Sequence, residues 1–256
     1  MIFEDKVSRL RKEKHQGRET HAFLDDVIAL AHGEAFEYLL GEVMFCNAKV
    51  DLSLRPMIPR PETEYWVKQM IEQTIDKRRE TPEVHEMALP FRALDLFSGS
   101  GNVGLAILKN IPGTTVDFIE YDPKLKEQIE ISVMKNKIDQ SRVRVMEGDS
   151  WEGATGVYDL ITAVPPYVPP QMKEEVMQEL SAEDPLSFFD KEDGYYYHTQ
   201  VLSRAKEFLQ DDGVLYLEFD ITQRERIEKL ALDHGFTSYL FLKDPYGHEC
   251  AIKIVR

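Results

Sequence analysis

The stretch Arg92-Ala93-Leu94-Asp95-Leu96-Phe97-Ser98-Gly99-Ser100-Gly101-Asn102-Val103-Gly104 decides the fold. Its first six residues read as a buried strand. The glycines that follow fit G-x-G-x-x-G, and an apolar helical pattern then runs to about Asn110. A strand entering a helix through such a turn is a nucleotide-type βα unit, and the residues downstream repeat it. Thr115–Glu120 reads as a second strand. Asp122-Pro123 then caps and starts a helix with a Leu125, Ile129, Val133 stripe. Arg142–Met146 and Tyr158–Val164 are the third and fourth strands. After a helical region comes Gly213–Glu218, and 238–242 with 250–255 form a closing hairpin. Strand–helix alternation of this kind predicts an α/β, Rossmann-like fold: a mostly parallel seven-stranded sheet with helices on both faces and an antiparallel C-terminal hairpin. Ligands bind such sheets outside the carboxyl ends of the strands.

Upstream, Phe23, Leu24, Val27, Ile28 and Ala31 predict a short helix ending near Gly33. Residues 36–58 read as extended with a turn at Asn47, prolines 56, 59 and 61 interrupt regular structure, and a helix restarts near Glu62. Residues 76–91 read as a surface connector. The expected organisation is a short helical segment over 1–33, a β-hairpin and linker over 34–62, and a catalytic domain over 63–256.

Composition excludes several classes. The 256 residues carry 31 Lys and Arg against 46 Asp and Glu, a net charge of −15. That balance argues against stable DNA binding through phosphates. Two cysteines make no disulfide framework. No apolar stretch is long enough to span a membrane, and the charged N-terminus lacks a signal core, so a soluble cytoplasmic protein is expected. Residues 6–18 are the exception, with six basic residues against one acid. They read either as a solvated helix or as a small docking arm for RNA or an acidic partner.

The glycine pattern alone fits two cofactor types. Asp95, four residues before Gly99, would repel a pyrophosphate but suits a cationic ligand such as S-adenosylmethionine, which has a sulfonium, an ammonium and no phosphate. Glu120 at the end of the second strand suits a pair of ribose hydroxyls, and Asp149 after the third suits an adenine amino group. Trp151 reads equally as a neighbour of adenine or as core. Tyr195-Tyr196-Tyr197 reads as packing, Cys46 as an ordinary thiol, and no histidine has metal-ligand spacing.

Val164-Pro165-Pro166-Tyr167 follows the fourth strand. With it, the chain resembles the HemK/PrmC family of release-factor glutamine methyltransferases. The resemblance runs over residues 33–256. It includes Gly33-Glu34, Ile58-Pro-Arg-Pro-Glu-Thr-Glu64, the Asp95–Gly104 loop, Glu120, Asp149, Pro165-Pro166-Tyr167, Glu183-Asp-Pro-Leu186, Asp193-Gly194, Leu217-Glu218 and the last hairpin. It implies an S-adenosylmethionine cofactor and methylation of the glutamine side-chain amide in the Gly-Gly-Gln tripeptide of peptide chain release factors. By motif position it implies a cofactor site of Asp95, Ser98, Gly99, Ser100, Gly101, Glu120, Tyr121, Asp149, Ser150 and Val164. It puts Val164, Pro165, Pro166 and Tyr167 at the reaction centre, and Arg60 and Glu62 beside the substrate. Glu218 fits either pocket support or folding.

Two departures matter. The family motif is Asn-Pro-Pro-Tyr, and Val164 stands where the asparagine would. The family also usually has a larger N-terminal helical bundle, whereas the residues before Gly33 allow at most two short helices. An amide nitrogen is a poor nucleophile, and its N–H groups need acceptors to hold it in line for attack. Valine offers none, so methylation is expected to be impaired. The rival readings are a nucleic-acid amino-methyltransferase, a cofactor-binding protein without catalysis, and, least favoured, a nicotinamide oxidoreductase.

Overall fold

The computed structural model describes residues 1–80 and 90–256. Seven strands form the main sheet: β3 (Phe91–Leu96), β4 (Thr114–Glu120), β5 (Val143–Glu147), β6 (Tyr158–Ala163), β7 (Leu209–Glu218), β8 (Ser238–Lys243) and β9 (Glu249–Val255). Their order is β5-β4-β3-β6-β7-β9-β8. The first five are mutually parallel, and β9 runs antiparallel to both β7 and β8. The sheet therefore winds outward in both directions from β3 and β6, and the carboxyl ends of those two strands flank the switch point.

Each sheet face carries its own apolar layer. On one side α4 (Pro61–Glu80), α5 (Asn102–Asn110) and α6 (Pro123–Lys135) cover Ala93, Val116, Phe118 and Leu160. On the other, α8 (Tyr196–Phe208) and α9 (Arg224–Asp233), which follow the short α7 (Lys173–Glu179), cover Leu94, Leu96, Ile161, Ala163 and Leu215. Alternation along each strand assigns the sides. Asp122 caps α6 by accepting from the Lys124 amide at 2.8 Å, with Pro123 in the first turn, as the sequence predicts.

A two-stranded hairpin, β1 (Glu42–Phe45) and β2 (Ala48–Asp51), packs Phe45, Ala48 and Val50 into the α5–α6 layer. Its turn places Cys46 and Asn47 at positive φ. A third, smaller apolar cluster joins Leu10, Phe23, Leu30, Phe36 and Leu39 from α1 (Phe3–Arg9), the π-helical turn after it, α2 (His21–Ala31) and α3 (Phe36–Leu40).

Three boundaries differ from the sequence reading. Phe36–Leu40 is a helical turn, because Phe36 and Leu39 lie on one face and both bury against this cluster. The sequence-based connector overlaps α4, which stays helical through Glu80, and residues 81–89 lie outside the described residues. The basic run is helical only to Lys14, and its charges are partly neutralised by Arg9–Glu13, Arg11–Glu19 and Lys14–Asp26 pairs at 2.8, 3.0 and 2.7 Å. Among the described residues no helix is long and apolar enough to cross a membrane, and no group of three potential metal ligands occurs.

Candidate active site

A cleft of about 510 Å³ opens over the carboxyl ends of β3–β6. Its floor is the loop after β3, and its geometry follows from close packing beneath it. Gly101 has φ +76° and a Cβ there would lie 2.9 Å from the Ile129 side chain. A Cβ on Gly104 would lie 2.2 Å from the Phe118 ring. The loop glycines thus let α5 sit directly on β4 and α6. Two non-glycine residues of the cleft wall, Phe97 (φ +56°) and Ser150 (φ +55°), also hold left-handed conformations, as constrained loops at binding sites do.

Asp95 is displaced from its expected role. It is 2% exposed and lies beneath the loop, not in the cleft wall. Alternation puts it on the α5 side with Ala93. There Oδ2 accepts from the Gly104 amide at 2.9 Å and Oδ1 accepts from the Thr162 hydroxyl at 2.7 Å. Burial pushes its carboxyl up to about 7. It fixes the loop and does not line the cleft, so the sequence argument that it would repel a pyrophosphate loses its basis. Gly101 likewise supports from below.

Glu120 does reach the cleft. Oε2 accepts from the Gly99 amide at 2.6 Å and Oε1 from the Asp122 amide at 3.0 Å, which joins the loops after β3 and β4. Burial raises its carboxyl above the ordinary range. Each oxygen keeps a lone pair for a ligand hydroxyl. Ser98, Gly99, Ser100, Tyr121, Asp149 and Ser150 also line the cleft. The Ser150 hydroxyl is buried and has no hydrogen-bond partner among the described residues. Asp149 is joined to Lys191 at 2.8 Å, and that carboxylate raises the lysine's pKa.

Beyond the end of β6 the four motif residues separate. Val164 and Pro166 line the cleft, while Pro165 is buried behind it. Tyr167 turns inward: its hydroxyl donates to Glu218 Oε1 at 3.4 Å, and burial drives its pKa well up. Arg60 lines the cleft and donates to Glu183 Oε1 at 2.6 Å, while Glu183 Oε2 accepts from the Ile58 amide at 2.8 Å. Glu62 does not line the cleft. Its neighbour Thr63 does, and its hydroxyl donates to Glu218 Oε2 at 2.7 Å. Glu218 also accepts from the Trp66 indole at 2.7 Å. Glu218 therefore ties the start of α4 to the Tyr167 loop. Trp151 is core: it stacks on Phe208 and donates to the Gln200 carbonyl. Cys46 is a buried thiol, pushed up to about 12 by burial.

Sequence reasoning missed Thr63, Phe97, Lys191 and Tyr197. Thr63 sits inside the quoted Ile58–Glu64 block, so its motif was visible and its orientation was not. Tyr197 packs edge-on against Phe97 with ring centroids 5.1 Å apart. It reaches the site because Asp190 accepts from the amides that open α8, those of Tyr196 (3.2 Å) and Tyr197 (3.4 Å).

A doubly wound sheet closed by an antiparallel hairpin, with a glycine loop, an acid ending the second parallel strand and a Pro-Pro motif after the fourth, defines a class I methyltransferase. The Methyltransferase small domain family matches residues 83–187. The resemblance to release-factor glutamine methyltransferases is borne out by relatives of that name. One, from Thermodesulfovibrio yellowstonii, is 29% identical over 216 residues, covering 84% of this chain and 74% of its own. Another, from Streptococcus pneumoniae, is 26% identical over 250 residues, covering 96% and 84%. Among solved structures, a Pyrococcus furiosus methyltransferase superposes with a TM-score of 0.52 at 15% identity, covering 78% of this chain and 85% of that one. The hMettl16 catalytic domain, solved with an RNA hairpin, gives 0.59 at 12% identity, covering 100% and 92%. At those identities the two structures speak for the fold alone.

Proposed function

We propose that the cleft binds S-adenosylmethionine and that the chain methylates the side-chain amide of the Gly-Gly-Gln glutamine of a peptide chain release factor, at a rate held down by Val164. The observation that carries the cofactor is the charge of the wall. Five carboxylates (Glu120, Asp122, Asp149, Asp184, Asp190) face three cations (Arg60, Lys173, Lys191). Arg60 is already paired with Glu183 and Lys191 with Asp149, which leaves Glu120, Asp122, Asp184 and Asp190 against Lys173. Such a wall favours a cationic nucleoside and disfavours a pyrophosphate. Glu120 suits the ribose hydroxyls, Asp149 the adenine amino group, and the unpartnered Ser150 hydroxyl a polar atom of the ligand. Ser98, Gly99, Ser100 and Tyr121 complete the wall, with Asp95 and Gly101 acting from below.

When bound, the sulfonium supplies an electrophilic methyl group. The chain's own task is to hold the amide nitrogen, whose lone pair is delocalised, on the line of attack. The carbonyls of Pro165 and Pro166 accept no hydrogen bond among the described residues, so that loop has an acceptor to offer one N–H. Val164 has none for the other. An unpaired buried N–H costs about 1–3 kcal/mol, and loss of one preorganised polar partner costs on the order of 10²–10³ in rate. The names of the relatives support the release-factor substrate.

The test is Val164→Asn against a release factor, with labelled cofactor and an oligonucleotide acceptor in parallel. The expected result is a gain on the order of 10² or more on the protein, with none on the oligonucleotide. No gain on the protein, with S-adenosylhomocysteine still raising the melting temperature and NAD not doing so, would remove Val164 as the defect.

A further inference from the structure

We propose that the Thr63 hydroxyl is a second amide acceptor in the substrate pocket and takes part of the role that Val164 cannot perform. The inference rests on the glutamine-amide reading above. Thr63 is a wall residue of the cleft and is only 4% exposed. Its proton is committed. Glu218 Oε2 accepts from both the Thr63 hydroxyl and the Trp66 indole, each at 2.7 Å. A hydroxyl whose proton is fixed has only lone pairs left to offer, and so acts towards any ligand as an acceptor.

Position supports the same role. The other oxygen of Glu218 accepts from Tyr167, three residues after Val164. One carboxylate thus holds Thr63 against the loop that carries the reaction centre, and both Val164 and Thr63 line the same cleft. Glu218 is 6% exposed and does not line the cleft. It is a positioning residue: it orients the threonine proton away from the ligand. A primary amide has two N–H groups to place. The proline-loop carbonyls supply an acceptor for one, and Thr63 Oγ1 stands in, in part, for the carboxamide that would accept the second.

The test measures binding of a Gly-Gly-Gln peptide to the protein saturated with S-adenosylhomocysteine, which needs no turnover. Thr63→Val removes the hydroxyl at nearly constant shape, and Thr63→Ser restores it. We expect Thr63→Val to weaken peptide binding about 10-fold, the scale of one lost hydrogen bond. Thr63→Ser should return it to within about twofold, and S-adenosylhomocysteine affinity should stay constant throughout. In the Val164→Asn background, where a carboxamide oxygen is available, the same Thr63→Val change should cost no more than about twofold. A merely structural role for the hydroxyl would give equal losses in both backgrounds. Equal losses, or peptide binding indifferent to Thr63→Val while homocysteine-adduct binding and melting temperature hold, would overturn the proposal. Failure of the peptide to bind both the unaltered chain and Val164→Asn would instead overturn the glutamine reading itself, and this inference with it.

Discussion

Asp95 Oδ2 accepts from the Gly104 amide at 2.9 Å, nine residues along the chain and across the glycine loop. This bond fastens the first turn of α5 to the end of β3. The acid making it is fully desolvated, with its carboxyl pushed up to about 7 by burial against the two hydrogen bonds that lower it.

The sign of the resulting pH dependence follows from that direction. A carboxyl whose folded pKa lies above its unfolded value binds more protons in the native state. Its stabilising contribution is therefore full below about pH 4 and is lost as pH rises through about 7. Asp95→Asn keeps the shape and can accept from Gly104, but does not titrate. Thermal melts from pH 4 to 8 should show the unaltered chain losing stability relative to Asp95→Asn as pH rises. A constant offset between the two curves would show that Asp95 does not titrate in this window.

Gly104→Ala tests the packing above that bond. The added Cβ would stand 2.2 Å from Cε1 of Phe118, a ring that is fully buried between α5 and the sheet. Overpacking of this kind costs about 1–3 kcal/mol. Urea denaturation should show a loss in that range, and S-adenosylhomocysteine affinity should fall with it because the loop above is displaced. At Gly33, where a Cβ would meet nothing within 4 Å, alanine is strained only by φ +95°. Gly33→Ala should therefore leave ligand affinity unchanged.

The strands of the sheet were legible because apolar and β-branched residues concentrate in them, and Asp122-Pro123 marked a helix start by local chemistry alone. Side-chain direction was less legible. In a parallel strand buried on both faces, period-two alternation has no polar face to anchor it, so Asp95 read as a cleft acid when it lies beneath the loop. Tyr167 was placed in the pocket by motif position, and its inward turn towards Glu218 is a tertiary contact that no motif records. Glu120 was readable because it ends the strand beside the glycine loop, where its carboxylate accepts from the Gly99 amide. Thr63 enters the cleft from a segment far in sequence from Lys191 and Tyr197, and Tyr197 is placed by the Asp190 bonds to the amides that open α8. No local pattern records such a juxtaposition. Phe36–Leu40 coiled because a tertiary cluster claimed Phe36 and Leu39, overriding a strand-like composition.

Glu120→Gln separates ligand binding from loop support. The glutamine oxygen can still accept from Gly99 or Asp122 but not from both, and the charge is lost. S-adenosylhomocysteine affinity, read by calorimetry, should fall about 10-fold or more, as expected for loss of a charge-assisted bond. The melting temperature without ligand should move by only a few degrees. Unchanged affinity would place the ribose elsewhere.

Glu218 is a buried junction between the start of α4 and the Tyr167 loop. Three donors converge on it: Thr63 and Trp66 from α4, and Tyr167 from the reaction loop. Burial, with a smaller push from the Glu62 charge, raises its pKa, while those donors favour the charged form. Glu218→Ala leaves all three donors without a carboxylate and opens a hole beneath the loop, at about 1–3 kcal/mol for each buried group left unpaired. Glu218→Gln keeps the volume and one acceptor oxygen, but presents an NH2 group to one of the former donors. Denaturant unfolding should rank the unaltered chain above Glu218→Gln and Glu218→Ala last. Glutamine-peptide affinity should follow the same order, because Thr63 and Tyr167 lose their common anchor. S-adenosylhomocysteine affinity, set by the loops after β3, β4 and β5, should change far less. If cofactor and peptide affinity fall together in Glu218→Gln, the carboxylate supports the whole cleft and not the substrate wall alone.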